Sequence, residues 1–336
     1  MGSNQEAILI TGGAGYIGSH VVRQLGEAGY NTVVYDNCST GNPASVLYGE
    51  LVIGDLADLE CLYRTFARYN FTAVLHFAAS MVVPESIAYP LDYYANNTRN
   101  TLNLLRCCQA FGVNQFVFSS TAAVYGDTEE ALVTERTLPR PINPYGRSKL
   151  ASEWTIEDFG RAGDFRSVIL RYFNVAGADP EMRIGQYSPR ASHLIKMSCQ
   201  AALGKRPSLS VFGTDFPTPD GTGVRDYIHV EDLAAAHVKA LDYLRSGGES
   251  QILNCGYGRG YSVREVIATV REISGNDFPV VEEGRRPGDP ACVIADSTRI
   301  RELLAWRPRF DNLETIVRTT LEWEKKLDTV IRRSTC

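Results

Sequence analysis

The stretch Ala7-Ile8-Leu9-Ile10-Thr11-Gly12-Gly13-Ala14-Gly15-Tyr16-Ile17-Gly18-Ser19-His20 decides the fold of this 336-residue chain. Residues 7–11 are a short apolar, β-branched run that reads as a strand, and 16–28 carry apolar side chains at helical spacing up to Gly29. Between them stand Gly12, Gly13, Gly15 and Gly18, in the pattern Gly13-x-Gly15-x-x-Gly18 and the overlapping Gly12-x-x-Gly15-x-x-Gly18. Side chains would obstruct a turn that brings backbone against a pyrophosphate, and the following helix N-terminus presents N–H groups and its dipole to the anion. The glycine pattern is weak alone; between a strand and a helix it predicts a dinucleotide site. A second strand is expected at 31–35, closed by Asp36. A carboxylate there accepts the hydroxyls of an adenosine ribose and repels a 2′-phosphate, which points to NAD. Without a cofactor the same residues are a glycine turn and a capping aspartate. Asp55 stands where an acid meets the adenine, and acids cap turns just as often.

Working outward, further strands are expected at 51–53, 72–78, 115–119 and 167–172, with helices between them that include 92–111 and 145–161. Such alternation predicts an α/β fold, a Rossmann-type doubly wound parallel sheet with helices on both faces. After Gly177, prolines at 180, 189, 207, 217, 219, 287, 290 and 308 punctuate shorter elements, marking a smaller α/β substrate domain. The expected division is 1–178 for the NAD-binding domain and 179–336 for the second. Strands near 226–229 and 252–255 are expected to rejoin the first sheet, so about 225–256 belongs with it and the boundary is discontinuous. There is no internal repeat and no low-complexity tract.

Composition narrows the function classes. Hydrophobic residues at 44% and charged residues at 22% are ordinary globular usage, sufficient for two cores. A net charge of -5 offers no basic footprint for nucleic acid, although the Arg285-Arg286 pair suits a small phosphorylated ligand. The eight cysteines (38, 61, 107, 108, 199, 255, 292, 336) form no CxxC and have no histidine at zinc-site spacing, so reduced thiols and no metal are expected. No apolar run approaches the roughly 20 residues of a membrane span. Residues 1–7 are too polar for a signal peptide, and the cytoplasm is the expected location.

Tyr145 and Lys149 lie four apart at the start of a helix, so their side chains leave the same face. An ammonium beside the phenol, with a cationic nicotinamide nearby, favours phenolate and makes a base that takes a hydroxyl proton while hydride leaves the same carbon. On spacing alone a solvated helix pair is the commoner outcome. The fifth strand, however, ends Phe116-Val117-Phe118-Ser119-Ser120-Thr121, placing hydroxyls at the carboxyl end of a parallel strand, where ligands bind in such sheets. Thr121 then either bonds the substrate oxygen or satisfies a local turn.

These motifs together resemble the extended short-chain dehydrogenase/reductase superfamily and, within it, the UDP-glucose 4-epimerase family. The resemblance covers nearly the whole chain: ThrGlyGlyAlaGlyTyrIleGlySerHis at 11–20, HisPheAlaAla at 76–79, PheSerSerThrAlaAlaValTyrGly at 118–126, ProTyrGlyArgSerLys at 144–149, ArgTyrPheAsnValAlaGlyAlaAspPro at 171–180, and PheGlyThrAspPheProThrProAspGlyThrGlyValArgAspTyrIleHisVal at 212–230. The last is particularly specific. The resemblance implies that Tyr145 removes the proton of a UDP-hexose 4-hydroxyl while hydride passes to tightly held NAD. The 4-keto sugar then turns over and takes the hydride back on its other face. Lys149 would tune the tyrosine and hold the nicotinamide ribose, and Thr121 would bridge to the 4-oxygen, where the family often has serine. With the glycines, Tyr16, Ile17, Asp36, Asn37, Asp55, Leu56, Phe77, Ala78, Ala79, Asn96, Ser119 and Phe173 would contact NAD. Asn174, His193, Phe212, Arg225, Arg286, Asp289 and Val293 would join Thr121 and Tyr145 around the sugar nucleotide; arginines suit the diphosphate and an aromatic the uracil face. A homodimer through the helices at 92–111 and 145–161 is implied as well.

The sequence departs from the family at three places. Val293 stands where some relatives carry a tyrosine that crowds the sugar 2-position, so N-acetylated UDP-hexoses are within the expected scope. His193 replaces an asparagine of some relatives, and Thr98-Arg99-Asn100 replaces their Val-x-Gly. Three other activities were weighed against epimerisation. A 4,6-dehydratase needs an acid and a base directly after the strand-five threonine, where this chain has Ala122 and Ala123. A UDP-glucuronate 4-epimerase or decarboxylase needs a carboxylate-binding set that the sequence neither shows nor denies. A non-catalytic NAD-binding sensor would have no use for Thr121, Tyr145 and Lys149 together.

Overall fold

The computed structural model describes residues 5–128, 130, 132–188, 193–286 and 289–334, with side chains as far as 327. Residues 1–4, Pro189, Pro287 and Cys336, which entered the reading above, lie outside the described residues. In chain order the elements begin β1 (Glu6–Thr11), α1 (Tyr16–Glu27), β2 (Thr32–Asp36), β3 (Glu50–Ile53), α2 (Leu59–Arg68), β4 (Asn70–His76), α3 (Val83–Ala88) and α4 (Pro90–Tyr93). They continue with α5 (Asn100–Phe111), β5 (Gln115–Ser119), β6 (Leu132–Val133), α6 (Pro144–Arg161), β7 (Arg166–Tyr172), β8 (Asn174–Ala176) and α7 (Leu194–Ala202). The chain then forms β9 (Leu209–Phe212), β10 (Val224–His229), α8 (Val230–Arg245), β11 (Gln251–Cys255), β12 (Gly260–Ser262), α9 (Val263–Ser274), β13 (Val280–Glu283), β14 (Cys292–Ala295), α10 (Thr298–Leu303) and α11 (Leu313–Ser334).

Seven strands form one sheet in the order β11-β7-β5-β4-β1-β2-β3, every pairing parallel. Strand alternation sorts its side chains into two cores. Ile8 and Ile10 of β1, Val117 of β5, and Val168 and Leu170 of β7 pack with α1 and α8, while Ala7, Leu9, Phe116, Phe118 and Ile169 pack with α2, α5 and α6. The strands are accordingly apolar on both faces, as a sheet covered on both sides requires. A third cluster, built from α7, α9, α11 and β9, forms the core of the C-terminal region.

Two expectations need correction. Residues 251–255 do join the seven-stranded sheet, as β11 beside β7, but 226–229 do not. They belong to β10, which pairs parallel with β8 and β14 and antiparallel with β12. Residues 226–229 are buried throughout, so their pattern reads as a strand covered on both faces without revealing which sheet holds it. Second, the expected helix 92–111 runs without a break but is not α-helical throughout: α4 and α5 are joined by a π-helical turn, Tyr94–Arg99. Hydrophobic periodicity does not register the one extra residue of a π-bulge, a feature frequent at functional sites. Among the described residues, no helix is long and apolar enough to cross a membrane.

Candidate active site

The strand carboxyl ends open toward one edge of the large sheet. Gly12 follows β1 with φ +74, a conformation favouring glycine, and a Cβ there would sit 2.5 Å from the Ala78 nitrogen. Gly18 is closed off as tightly, its Cβ falling 2.3 Å from the Gly12 carbonyl oxygen. The Gly12 N–H donates to Tyr35 O at 3.0 Å and the Gly15 N–H to Gly12 O at 3.1 Å, so the turn is tied to β2 and to itself. Gly15 is the N-cap of α1, and that helix has neither a side-chain cap nor an acid in its first turn. Its N–H groups and dipole are thus offered to an external anion. Asp36 Oδ2 accepts the Ala14 N–H at 2.9 Å and Oδ1 the Cys38 N–H at 2.8 Å. Burial raises its pKa and the two backbone bonds oppose the rise. The carboxylate is thereby fixed against the glycine turn, with lone pairs left over for a ribose. This glycine cradle, uncapped helix and oriented acid fit a dinucleotide.

The other expected cofactor residues surround that cradle. Tyr16 donates to Gly177 O at 2.6 Å, and Ile17 is half-buried against the α1 core. Asn37 donates to Asp55 Oδ2 at 2.8 Å, while Asp55 Oδ1 takes the Ala57 N–H at 2.8 Å, so Asp55 acts as a turn cap. Leu56 is buried, and its carbonyl accepts Asn103 at 2.9 Å. Phe77 continues from β4 with its N–H on Thr11 O at 2.9 Å and its ring 4.7 Å from that of His237; Ala78 and Ala79 follow, half-buried. Asn96, in the π-turn, donates to Ser80 Oγ at 3.0 Å. Ser119 donates to the Tyr172 hydroxyl at 3.3 Å, and Phe173 is buried.

Tyr145, Lys149 and Thr121 are each almost without solvent, at 8%, 3% and 8% exposure. Asn143 caps α6 by accepting the Gly146 N–H, and Pro144 occupies its first turn, which sets Tyr145 and Lys149 on one face. Thr121 caps the short 3₁₀ turn Ala122–Val124, its Oγ1 accepting the Ala123 N–H at 3.1 Å, and its hydroxyl also bonds Tyr145. The turn-capping reading of Thr121 therefore holds, and the bond to Tyr145 sets its hydroxyl beside the phenol. Burial drives the Tyr145 phenol well above the ordinary tyrosine range, with Tyr172 and Tyr93 adding to the rise and the Thr121 bond opposing it. Burial pushes the Lys149 ammonium down to about 7, against an upward pull from Glu153. Its Nζ lies 4.1 Å above the centre of the Phe118 ring.

The expected sugar-nucleotide residues come from the C-terminal region. Arg225 pairs with Asp289, and in the β10–β14 ladder Arg225 stands opposite Val293. Val293 is buried with Val124, Tyr125, Leu150 and Phe173, which carries this region onto helix α6. Asn174 is exposed at the start of β8 and pairs with Tyr227 of β10. Arg286 stacks on Phe212, its guanidinium carbon 3.6 Å from the ring centre. His193 is the N-cap of α7, and burial with nearby Lys196 pushes its pKa down to about 4.

Several supporting residues escaped the sequence reading. Buried Asn97 accepts the Ser80 N–H at 2.8 Å and donates to Ser80 O and to Ser148 Oγ, each at 3.0 Å. Ser148 in turn donates to Tyr145 O at 2.8 Å. Glu153, Arg171 and Ser120 form a buried network beside Lys149. Position four after Lys149 was the one available signal for Glu153; nothing in the sequence pairs Asn97 with residues 17 and 51 positions away.

Comparison with known proteins agrees with this geometry. The NAD dependent epimerase/dehydratase family model matches residues 8–256. A UDP-glucose 4-epimerase of Azospirillum brasilense is 55% identical over 325 residues, covering 96% of this chain and 92% of its own. The solved structure of a Brucella ovis UDP-glucose 4-epimerase in complex with NAD superposes with a TM-score of 0.92 at 42% identity, covering 95% of this chain and 98% of its own. That of the Bifidobacterium longum enzyme in complex with NAD+ and UDP gives 0.90 at 36% identity, covering 95% and 98%. On its glycine turn, its parallel sheet and these relatives, the chain belongs to the NAD dependent epimerase/dehydratase family, among its UDP-glucose 4-epimerases.

Proposed function

We propose that this protein epimerises carbon 4 of a UDP-hexose, interconverting UDP-glucose and UDP-galactose on a retained NAD. The observation that carries the reading is the buried Tyr145 bonded to Thr121, with buried Lys149 one turn along the same helix, beside a sheet whose first turn is a glycine cradle. NAD, when bound, supplies a hydride acceptor that gives the hydride back within the same turnover. Tyr145 takes the proton of the sugar 4-hydroxyl and later returns it. Burial, with Tyr172 and Tyr93 adding to it, holds its phenol protonated, so the lowering must come from positive charge, a role we assign to Lys149 one turn along α6 and to the nicotinamide. Thr121 orients the phenol and the 4-oxygen. Arg225 and Arg286 receive the diphosphate, Phe212 the uracil, and Asn174, His193 and Asp289 the remaining polar groups. Gly12, Gly13, Gly15 and Gly18 admit the pyrophosphate, and Asp36 holds the ribose. A 4,6-dehydratase lacks its acid and base here, since Ala122 and Ala123 form the turn after Thr121.

The cofactor half in this reading is 1–178 completed by α8 and β11, with the remainder serving the sugar nucleotide. The described cysteines are all unbridged, which supports a reducing compartment, the cytoplasm. Exposed Tyr89, Leu91, Leu102 and Trp154 on α4, α5, α6 and the residue before α4 support a homodimer through these helices. Light scattering of Trp154→Glu should then report monomers where the parent is a dimer.

Purified protein incubated with UDP-galactose and no added NAD should yield UDP-glucose; a cofactor-loaded protein that produces none contradicts the reading. UDP-N-acetylgalactosamine extends the test to Val293. Turnover of the N-acetyl substrate that drops by roughly 10-fold or more in Val293→Tyr supports a wall at that position, and an inert N-acetyl substrate excludes a wide pocket.

A further inference from the structure

Glu153 lies one turn beyond Lys149 and two beyond Tyr145 on α6, and it is fully buried. Its carboxylate is gripped by Arg171, whose Nε donates to both oxygens at 3.1 Å and whose second terminal nitrogen donates to Oε2 at 2.6 Å. The Ser120 hydroxyl, adjacent to Thr121, donates to Oε1. Arg171 also donates to the Tyr125 hydroxyl at 3.1 Å, which itself donates to Asn254 at 2.7 Å. Arg171 and Ser120 thus hold the carboxylate in a dry layer between α6 and the strands β5 and β7, and Lys149, one turn away on α6, feels its charge. A simple structural ion pair has no need to stand in line with the reacting side chains.

We propose that Glu153 is a positioning residue for the epimerisation: its carboxylate keeps Lys149 in the cationic form that Tyr145 requires, and Arg171 limits how strongly it does so. The inference rests on Tyr145 and Lys149 being the reacting pair. The groups facing Lys149 leave this task to Glu153. On β4, His76 is held neutral, pushed down to about 3 by burial and by Lys149 itself. On β5, Phe118 offers only its ring face. Arg171 of β7 is a cation, and Tyr172 and Tyr93, which stand beside Tyr145, are phenols raised by burial as Tyr145 is. Glu153 is the one carboxylate among these neighbours, and with it Lys149 rests at about 7, close to working pH.

The sign follows from charge. Activity that needs the ammonium is present below the Lys149 pKa and lost above it. Removing the anion lowers that pKa, and releasing the anion from its arginine raises it. In Glu153→Gln the alkaline limb of the kcat profile should move to lower pH by about one unit. In Arg171→Gln it should move the other way, and Glu153→Asp should restore the parent position. The reading uses limb position rather than amplitude, so partly folded preparations remain informative. A second readout is the ultraviolet titration of the Tyr145 phenolate, taken as the difference from Tyr145→Phe; in Glu153→Gln it should shift to higher pH. Limbs that stay in place, or that move the same way in both variants, overturn the proposal and leave a purely structural ion pair. Parent-like turnover in Tyr145→Phe or Lys149→Met would instead refute the reacting pair itself, a separate outcome.

Discussion

Among single residues, Tyr145 has the most demanding position. A phenol raised by burial is a poor base at neutral pH, so it works only where charge is assembled around it. Tyr145→Phe should cost roughly 10²–10⁴-fold in kcat while the cofactor stays bound, measurable by turnover alongside the bound-dinucleotide absorbance. Thr121→Val keeps the shape but removes the hydroxyl from the phenol and from the Ala123 N–H, and should lower kcat by roughly 10-fold or more. Gly18→Ala drives a methyl into the Gly12 carbonyl oxygen, and protein purified from that variant should carry little cofactor. The glycines, Asp36 and the Tyr145–Lys149 pair were legible from sequence because their spacing expresses a local requirement. Asn97 was not, because what defines it is a pair of partners on other segments, Ser80 and Ser148.

Among the elements, the π-turn and the α8 N-terminus are the informative ones. Asn97→Ala removes the clamp between the loop at Ser80 and helix α6 at Ser148, leaving the Ser80 N–H without its acceptor and the Ser80 carbonyl and Ser148 Oγ without their donor. It should cost about 1–3 kcal/mol in unfolding free energy by urea titration and lower kcat as well. At α8, Glu231 joins His20 at 2.5 Å and also Arg23, binding that helix to the cofactor helix α1. Burial raises the Glu231 pKa, but the His20 bond, the Arg23 charge and the Gln24 bond overcome it and bring the group down to about 2. A depressed carboxylate contributes stability above its unfolded value of 4.5, and that stability is lost as pH falls toward 2. Denaturation series across this window should show the loss in the parent protein, and Glu231→Gln should lack it, being weaker by about 3–5 kcal/mol at neutral pH. Strand 115–119 was read to the residue, since an apolar run with polar flanks marks its own ends. The sheet membership of 224–229 was not, because burial on both faces is the same signature in either sheet.

Across the whole molecule, the C-terminal helix returns to the cofactor side. Thr320 of α11 accepts the Gly177 N–H at 2.9 Å, Thr319 meets His229 Nε2 at 2.9 Å, and the Gly177 carbonyl accepts Tyr16. Thr320→Val should therefore lower the thermal midpoint by an amount equivalent to about 1–3 kcal/mol, and NAD retention should fall with it. This long-range stitching is invisible to periodicity, which sees only neighbours along the chain. The large sheet is stitched in the same way: α8 covers Val117, Val168 and Leu170, and β11 pairs with β7, yet both come after the first six strands of that sheet in the chain. A ribosome making this protein therefore releases a sheet with one oily side covered only by α1, and its β5–β7 part stays bare until residues 230–255 leave the exit tunnel. Nascent chains stalled before that point should engage a holding chaperone, and those stalled after it should let go.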